Sequence, residues 1–451
     1  LRRDERERPM VVRAGRRYLA PSRRRAATGA HYTPPQLALE IATGALEPLV
    51  YFPGPLQTAD RSTWRLRPSR HLLGLRIADI AMGSGAFLVS ACRYLADCVV
   101  TAEADEGDVD AERWVGAGEQ ADAEVPPVLL DARRRVVERC LYGVDVNPLA
   151  VDMAKLSLWL LTMDRERPFD FLDGRLVAGD SLLGLVEVDQ LTTLHMDPTA
   201  GRALREVELP FTDAWVRTLN EAADVRNRAN ATPPEGLRDI ERKQSQVREA
   251  RALTAHLRAV ADRLVGVGLC VARTRAARDV RNAFVALGLE LGSPSGEDDA
   301  VLRERAQADL QAERPDGRAP RTPFHWPVEF PEVFVDSTDR GFDAIIGNPP
   351  FLGGKKISGT VGADLLGYYQ RWDGGEVKGS ADLAARFVLR SQRLLSSRGQ
   401  LGYIATNTLV QGDTLEVGLA QAVDRGMTIR RGRSSHPWPS ANANLEIVDV
   451  W

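Results

Sequence analysis

Apolar residues run along this chain in two rhythms. Residues 37–50, LALEIATGALEPLV, place them at helical spacing. Residues 72–99, LLGLRIADIAMGSGAFLVSACRYLADCV, then hold three units in order. LRIADIA is a short apolar strand, MGSG is a glycine turn, and Phe87, Leu88, Ala91, Leu95 and Cys98 share one helical face. Strand, tight loop and helix make the opening of an α/β unit. Residues 140–161, CLYGVDVNPLAVDMAKLSLWLL, repeat the theme: LYGVD predicts a strand, Asn147 suits an N-cap and Pro148 the first helical position. Residues 173–184, DGRLVAGDSLLG, add a third strand that ends in Gly-Asp-Ser.

Two segments break the rhythm. Residues 101–127 are acidic and rich in Ala, Gly and Pro, which predicts a surface insertion. Residues 212–315 are charged and helical in style. There Ile240, Val247, Ala250, Leu257, Ala261 and Leu264 follow heptad-like spacing, with Thr254 as the polar break. This predicts a helical hairpin or arm that packs on the core or braces a large ligand. The alternation resumes after RTPFHWPVEFPEVF (321–334): FDAIIG is a strand, ADLAARFVLRSQRLL a helix, GQLGYIATN a strand after a turn glycine, and NLEIVDVW a last strand. The expected fold class is α/β, a mostly parallel, doubly wound Rossmann-like sheet with a long helical insertion. The expected segments are 1–70, 71–190, 191–330 for the mainly helical insertion, and 331–451.

Composition narrows the class. The chain has 451 residues, 44% hydrophobic and 27% charged, as expected of a globular, cytoplasmic protein. No apolar run approaches a membrane span, so no membrane partner is expected. The net charge of −3 does not advertise nucleic acid, but residues 1–25 hold ten Arg against Asp4, Glu5 and Glu7. Such an arm could contact phosphate or simply be a solvated terminus. Cys92, Cys98, Cys140 and Cys270 form no close pair, and six histidines lack ligand spacing, so no protein metal site is expected.

In an open α/β sheet, ligands bind outside the carboxyl ends of the strands. Those ends carry Asp79 with Gly83-Ser84-Gly85, then Asp145, Asp180 and Asn348-Pro349-Pro350-Phe351. The glycine turn alone is weak, since it need only turn a strand into a helix. Its form, D-x-x-x-G-x-G, disfavours a dinucleotide: Asp79 would repel pyrophosphate and suits an ammonium group. Asp145 can accept from ribose hydroxyls and Asp180 from an adenine amino group. A nucleoside with a charged amino-acid tail, such as S-adenosyl-L-methionine, fits the three clusters best.

The run FDAIIGNPPF (342–351) stops a strand on two prolines, which lack the amide donor a ladder needs. The exocyclic nitrogen of adenine is a poor nucleophile because its lone pair is delocalised into the ring. The Asn348 side-chain oxygen and the Pro349 carbonyl could bind its two hydrogens and turn the lone pair toward a methyl donor. Prolines hold both acceptors at little entropic cost, and Phe351 can stack on the base. A base within a duplex cannot reach such a site unless it is flipped out.

Together these motifs resemble the adenine-N6 DNA methyltransferases of the gamma arrangement, in particular the type IIG-like restriction–modification and phage-defence methylases. HYTPPQLA (31–38), DIAMGSGAFL, GVDVNPLAVDMAKLSL, GDSLLG and GNPPF stand in that family's order. The resemblance implies a class I methyltransferase sheet and S-adenosyl-L-methionine held by Thr33, Asp79, Gly83, Gly85, Asp145 and Asp180. It also implies a target adenine held by Asn348, Pro349, Pro350 and Phe351, with double-stranded DNA as partner. Ile80, Met82 and Phe351 depart from the usual proline, cysteine and tyrosine. A target-recognition domain, separate or C-terminal, and other defence-system subunits are further implied partners, so this chain is expected to be a catalytic fragment. FLGGKKISG (351–359) reads as a glycine-rich loop where Lys355 and Lys356 could meet phosphate, or as plain surface.

The nearest competing reading is methylation of another planar nitrogen, a protein glutamine amide or an RNA base. An inactive DNA-binding subunit would be expected to lose the tip or the cofactor acids, and both are present.

Overall fold

The structure, a computed structural model, describes residues 33–117, 125–162, 172–204, 210–231, 237–292, 298–335, 339–375, 377, 379–438 and 446–451. Seven strands form one sheet: β1 (Ile77–Asp79), β2 (Leu141–Asp145), β3 (Leu176–Ala178), β4 (Phe342–Gly347), β5 (Leu395–Thr406), β6 (Gly432–Pro437) and β7 (Glu446–Val450). Their order is β3-β2-β1-β4-β5-β7-β6. The first five run parallel, and β7 runs antiparallel to both β5 and β6. The chain leaves the centre at β1, lays down β2 and β3, then crosses back to β4 on the other side of β1. The junction of β1 and β4 is therefore a topological switch point, where ligands of such sheets bind.

Both faces of the sheet are buried at its central strands, where alternate residues enter opposite cores, while the edge strand β6 is largely exposed. Ile77, Leu141, Ala344, Ile346, Ile404 and Ile447 join the core under the helices Pro35–Val50, Ala86–Asp105 and Pro127–Arg139. Their strand neighbours Ala78, Tyr142, Ile345, Tyr403 and Val448 face the opposite core. Two apolar faces are what a doubly wound sheet requires, and they explain why its strands read as nearly continuous apolar runs.

Most of the β3–β4 crossover is helical: Pro210–Ala231, Leu237–Leu253, Ala255–Cys270, Ala277–Leu291 and Asp299–Gln311. The heptad-like stripe is not one continuous helix. It divides at Thr254, which is buried and leaves helical geometry (φ −87°, ψ 5°). Its hydroxyl bonds back to the Ala250 carbonyl at 3.2 Å and the Arg251 carbonyl at 3.4 Å, so this buried polar group is itself satisfied. Leu257, Val260, Ala261 and Leu264 then pack in the same core as Ile80 and Val144. A buried pair joins the start of the crossover to its end: Arg226 Nε and Nη2 donate to Glu332 at 2.6 and 2.8 Å, and Tyr142 on β2 donates to the same carboxylate at 3.3 Å.

Two local expectations are corrected and a third gains detail. The acidic stretch after residue 100, expected as a surface insertion, is mostly exposed where described and carries helix: Ala86–Asp105 runs through its start, and Val109–Ala117 follows. Asp108 caps the second helix by accepting from the Ala111 amide at 2.9 Å. Residues 354–361 form a short helix, Gly354–Val361, rather than a loop, and Lys356 on it is exposed. β5 starts at Leu395, ahead of Gly399, because a register shift opposite Phe342–Ala344 absorbs the extra residues. The basic arm at 1–25 lies outside the described residues. Among the described residues no helix is long and apolar enough to cross a membrane.

Candidate active site

The site is assembled at the carboxyl ends of β1 to β4. After β1 the chain turns through Gly83 (φ 53°) and Gly85 (φ 83°), both left-handed, and enters the helix Ala86–Asp105. The two glycines serve different ends. A Cβ on Gly85 would stand 3.1 Å from the Ala154 Cβ, so this glycine lets the turn meet the helix Pro148–Thr162. A Cβ on Gly83 would meet nothing within 4 Å, and the amide of Gly83 donates to Asp145 Oδ2 at 2.9 Å. The turn is thereby tied to the tip of β2.

Asp145 Oδ1 accepts from the Asn147 amide at 2.8 Å, leaving each carboxylate oxygen with spare acceptor capacity. At the tip of β3, Asp180 Oδ1 accepts from the Leu182 amide at 3.0 Å. Ser181 Oγ donates to the Ile80 carbonyl at 2.5 Å, which binds this tip to β1. Burial pushes the carboxyl groups of Asp145 and Asp180 above the usual range, since desolvation penalises the charged form.

Asp79 is the most perturbed. It is 1% exposed, and burial pushes it up to about 8 despite a hydrogen bond from Ala81 to Oδ1 at 3.1 Å. The nearby Asp145 carboxylate adds to the rise. Its Oδ2 is buried without a hydrogen-bond partner.

The tip of β4 delivers Asn348. Its Nδ2 donates to Thr33 Oγ1 at 3.1 Å, while its Oδ1 is buried and has no partner. A buried orphan acceptor is uncommon, and it marks the place where a donor is missing. Thr33, Gly83, Asp145, Asp180, Asn348 and Pro350 line one cavity of about 360 Å³. That volume lies in the range of roughly 300–1,000 Å³ found for small-molecule sites. The open space at Gly83, the carboxylates and the orphan oxygen fit a nucleoside with a polar tail.

Not every expected residue lines this cavity. Asp79 and Gly85 shape the turn from behind it, and Pro349 is buried beside it. Phe351 lines a neighbouring depression of about 330 Å³ with Asp382, Thr406, Asn407, Gln411 and Glu446. The NPPF segment thus separates two hollows, with Asn348 and Pro350 on one and Phe351 on the other. The sequence reading missed Tyr369 and Phe387, which line the first cavity. Tyr369 is buried near Asp180, and its hydroxyl is held well above its ordinary pKa by desolvation and that carboxylate. No motif marks it; the only signal is a tyrosine pair in LLGYYQRW. Among the described residues no group of His, Cys, Asp or Glu is placed to hold a metal ion.

Comparisons with known proteins find restriction-modification enzymes. The model of the Eco57I restriction-modification methylase family matches residues 139–419. A provisionally named type II restriction enzyme and methyltransferase of Methanocaldococcus jannaschii is 23% identical over 421 residues, covering 85% of this chain and 32% of the relative. The chain spans about a third of the length of that relative. Two solved structures also align. One is the type IIL restriction-modification enzyme MmeI in complex with DNA, with 14% identity and a TM-score of 0.37 over 85% of this chain and 31% of that one. The other is a nuclease-deletion mutant of the type ISP enzyme LlaGI in complex with a DNA substrate mimic, with 10% identity and a TM-score of 0.37 over 93% of this chain and 26% of that one.

Proposed function

The chain belongs to the Eco57I restriction-modification methylase family, and we propose that it methylates the exocyclic N6 of an adenine flipped out of double-stranded DNA. S-adenosyl-L-methionine, when bound, supplies an electrophilic methyl group on a sulfonium. Thr33, Gly83, Asp145 and Asp180 would hold it in the first cavity, with Asp145 accepting from the ribose and Asp180 from the adenine of the cofactor.

Asn348 carries the reading. Its amide nitrogen is committed to Thr33, so the oxygen is the face presented, and that oxygen has no partner. An N6 hydrogen of adenine is a donor of the right kind. The Pro349 carbonyl would take the second hydrogen, and Phe351 would stack on the base in the neighbouring depression. Two fixed acceptors orient the lone pair toward the methyl group without a covalent nucleophile, and positioning of this sort can supply much of a rate enhancement. The N6–methyl bond would form as the sulfonium S–methyl bond breaks and leaves a neutral thioether, and N6 would release one proton to solvent. A target-recognition domain, separate or in a longer chain, would choose the sequence.

The test is transfer of labelled methyl from S-adenosyl-L-methionine to duplex DNA, followed by digestion to nucleosides. Label in N6-methyldeoxyadenosine is the expected result. Label found only in protein or RNA would overturn the choice of adenine in DNA.

A further inference from the structure

A second cavity, of about 660 Å³, lies against the same short element as the first. The π-helix Tyr369–Asp373 contributes Tyr369 to the first cavity and Trp372 and Asp373 to the second. Single π turns of this kind are rare and recur at functional sites.

Four arginines reach the second cavity from separate elements: Arg281, Arg371, Arg393 and Arg425. Only Arg393 is matched by carboxylates, with Glu187 at 2.9 Å and Asp373 at 3.3 Å. Arg371 donates to the Thr274 carbonyl at 2.8 Å, and Arg425 to the Asp373 carbonyl at 3.1 Å and to Gln421 at 2.9 Å. Among the described residues no ion pair joins Arg281, Arg371 or Arg425 to a carboxylate. The one further acid on the wall, Asp197, accepts from the Thr199 and Ala200 amides at 2.8 and 3.3 Å. Positive charge is in excess.

Guanidinium forks match phosphate oxygens, and several converging on one cavity select a multiply charged anion. The space is far larger than a single phosphate needs. Beside the charged groups and His195, Met196, Leu204, Val280 and the Trp372 indole give the wall an apolar and aromatic part on which a ring could rest. We propose that this cavity is a second ligand site, taking a nucleoside polyphosphate and biasing the first cavity through Tyr369–Asp373.

The path between the two is short and buried. Asp373 accepts from Arg390 Nη2 at 3.0 and 2.8 Å, and the same nitrogen donates to the Leu182 carbonyl at 2.7 Å. Leu182 lines the first cavity next to Asp180. An anion that draws Arg393 and Arg425 toward itself loosens their hold on Asp373, and Arg390 and Leu182 feel the change. A ligand shifts such an equilibrium only by its differential affinity for the two arrangements, and the effect is reciprocal. The coupling rests on the first cavity being the methyl-donor site; binding at the second does not.

Calorimetric titration of the purified chain with ATP, inorganic phosphate and a short single-stranded oligodeoxynucleotide tests both halves. ATP is expected to bind one to one, with phosphate binding far more weakly and the oligonucleotide failing to displace ATP. Arg281→Ala and Arg425→Ala, both at exposed positions, should each weaken ATP about tenfold at an unchanged melting temperature. Saturating ATP should change S-adenosyl-L-methionine affinity at least about fivefold, the low end of allosteric coupling, in the wild type and not in the variants. No ATP binding, or binding insensitive to both substitutions, overturns the site. An oligonucleotide that binds through these arginines while ATP does not also overturns it, in favour of a strand path. ATP binding without any effect on S-adenosyl-L-methionine overturns the coupling alone. Arginine-dependent ATP binding in a chain that binds no S-adenosyl-L-methionine supports the second site and defeats the methyl-donor reading instead.

Discussion

Asn348 and Thr33, 315 positions apart in the chain, are joined by a 3.1 Å hydrogen bond that decides which end of the amide faces the cavity. The nitrogen is used on the hydroxyl, and the oxygen is left as a buried acceptor. Thr33→Val keeps the shape and removes the hydroxyl, so the amide loses its anchor. Methyl transfer is expected to fall roughly tenfold, the equivalent of ~1.4 kcal/mol of transition-state stabilisation. Thr33→Ser should restore most of it. Asn348→Ala removes the acceptor itself and should cost on the order of a hundredfold or more, as loss of an oriented polar group at a reacting centre does. Initial rates with labelled donor check all three, and a Thr33→Val rate equal to wild type would show that the anchor does not matter.

Phe351 stands in the depression beside the first cavity, half-buried, with polar neighbours at Asn407 and Glu446. If it stacks on the target base, the ring is the working part. Phe351→Tyr should then keep activity within about threefold, while Phe351→Ala should lose about ten- to a hundredfold, matching ~1–3 kcal/mol per stacked base. The loss should fall mainly on DNA binding or turnover, with donor affinity by calorimetry little changed. Equal losses for Tyr and Ala would point to a shape constraint rather than stacking.

The two glycines of the β1 turn should respond differently to alanine. At Gly85 the added Cβ meets Ala154 at 3.1 Å and the residue sits at φ 83°, so Gly85→Ala is expected to destabilise by about 1–3 kcal/mol through strain and overpacking. At Gly83 there is open space, so Gly83→Ala should cost only about 1 kcal/mol of left-handed strain. Its Cβ enters the region where the donor would lie, so the larger effect should be on donor affinity. Urea midpoints and donor titrations separate the two, and a Gly85→Ala midpoint as high as wild type would contradict the packing.

Arg226 and Glu332 are both nearly inaccessible, and Arg226 also donates to the Gly174 carbonyl at 2.6 Å. Arg226→Met strands the Glu332 carboxylate in the core and should cost about 3–5 kcal/mol. Replacing both, Arg226→Met with Glu332→Leu, removes the buried charge and should recover much of that loss. Denaturant unfolding of the four proteins reads the coupling directly; additive losses would mean that the pair does not act as one unit.

Six of the seven strands were legible because they carry short apolar runs punctuated by glycine, acid or proline; β6, GRSSHP, is polar and largely exposed, so no apolar pattern marked it. LRIADIA, LYGVD and FDAIIG needed no long-range information to be seen as strands. The crossover was legible as helical but not in its details. Thr254 reads as one polar residue in a stripe, yet it ends one helix and begins another, with its hydroxyl turned back onto the Ala250 and Arg251 carbonyls of the helix it ends. Residues 354–361 look like a loop from their glycines, although they form a helix that leads into Ala363–Tyr368. At the site, Asn348 and Asp145 were visible from their places after strands. Tyr369 was not, because it reaches the cavity from a π turn whose neighbours in space are far away in sequence. That Asp79 stands behind the cavity rather than on its wall depends on side-chain packing, which no motif encodes.

Asp79 gives a pH signature that can be worked out in sign. Its folded pKa is about 8, whereas an unfolded carboxyl titrates near 4. Between those values the folded chain holds a proton that the unfolded chain has released. Stability from this residue is therefore fully present below about pH 4 and declines as pH rises toward 8, by up to about 1.4 kcal/mol per pH unit. Asp79→Asn mimics the neutral acid and should remove that slope. Asp145, Asp180 and Asp343, which are also raised, stay in both proteins, so the difference between wild type and variant isolates Asp79. Urea midpoints at pH 5, 6.5 and 8 should show the variant gaining on wild type as pH rises; a constant difference would mean that Asp79 is ionised throughout. The same proton bears on the donor. Gly347 lets the carboxyl sit against the β4 backbone, since a Cβ there would lie 2.8 Å from its Oδ1. A cation bound nearby favours the ionised form, so binding of S-adenosyl-L-methionine at pH 7 should release protons. Calorimetry in two buffers of different ionisation enthalpy measures that release. It should shrink in Asp79→Asn, and an unchanged release would place the donor's ammonium beyond the reach of Asp79.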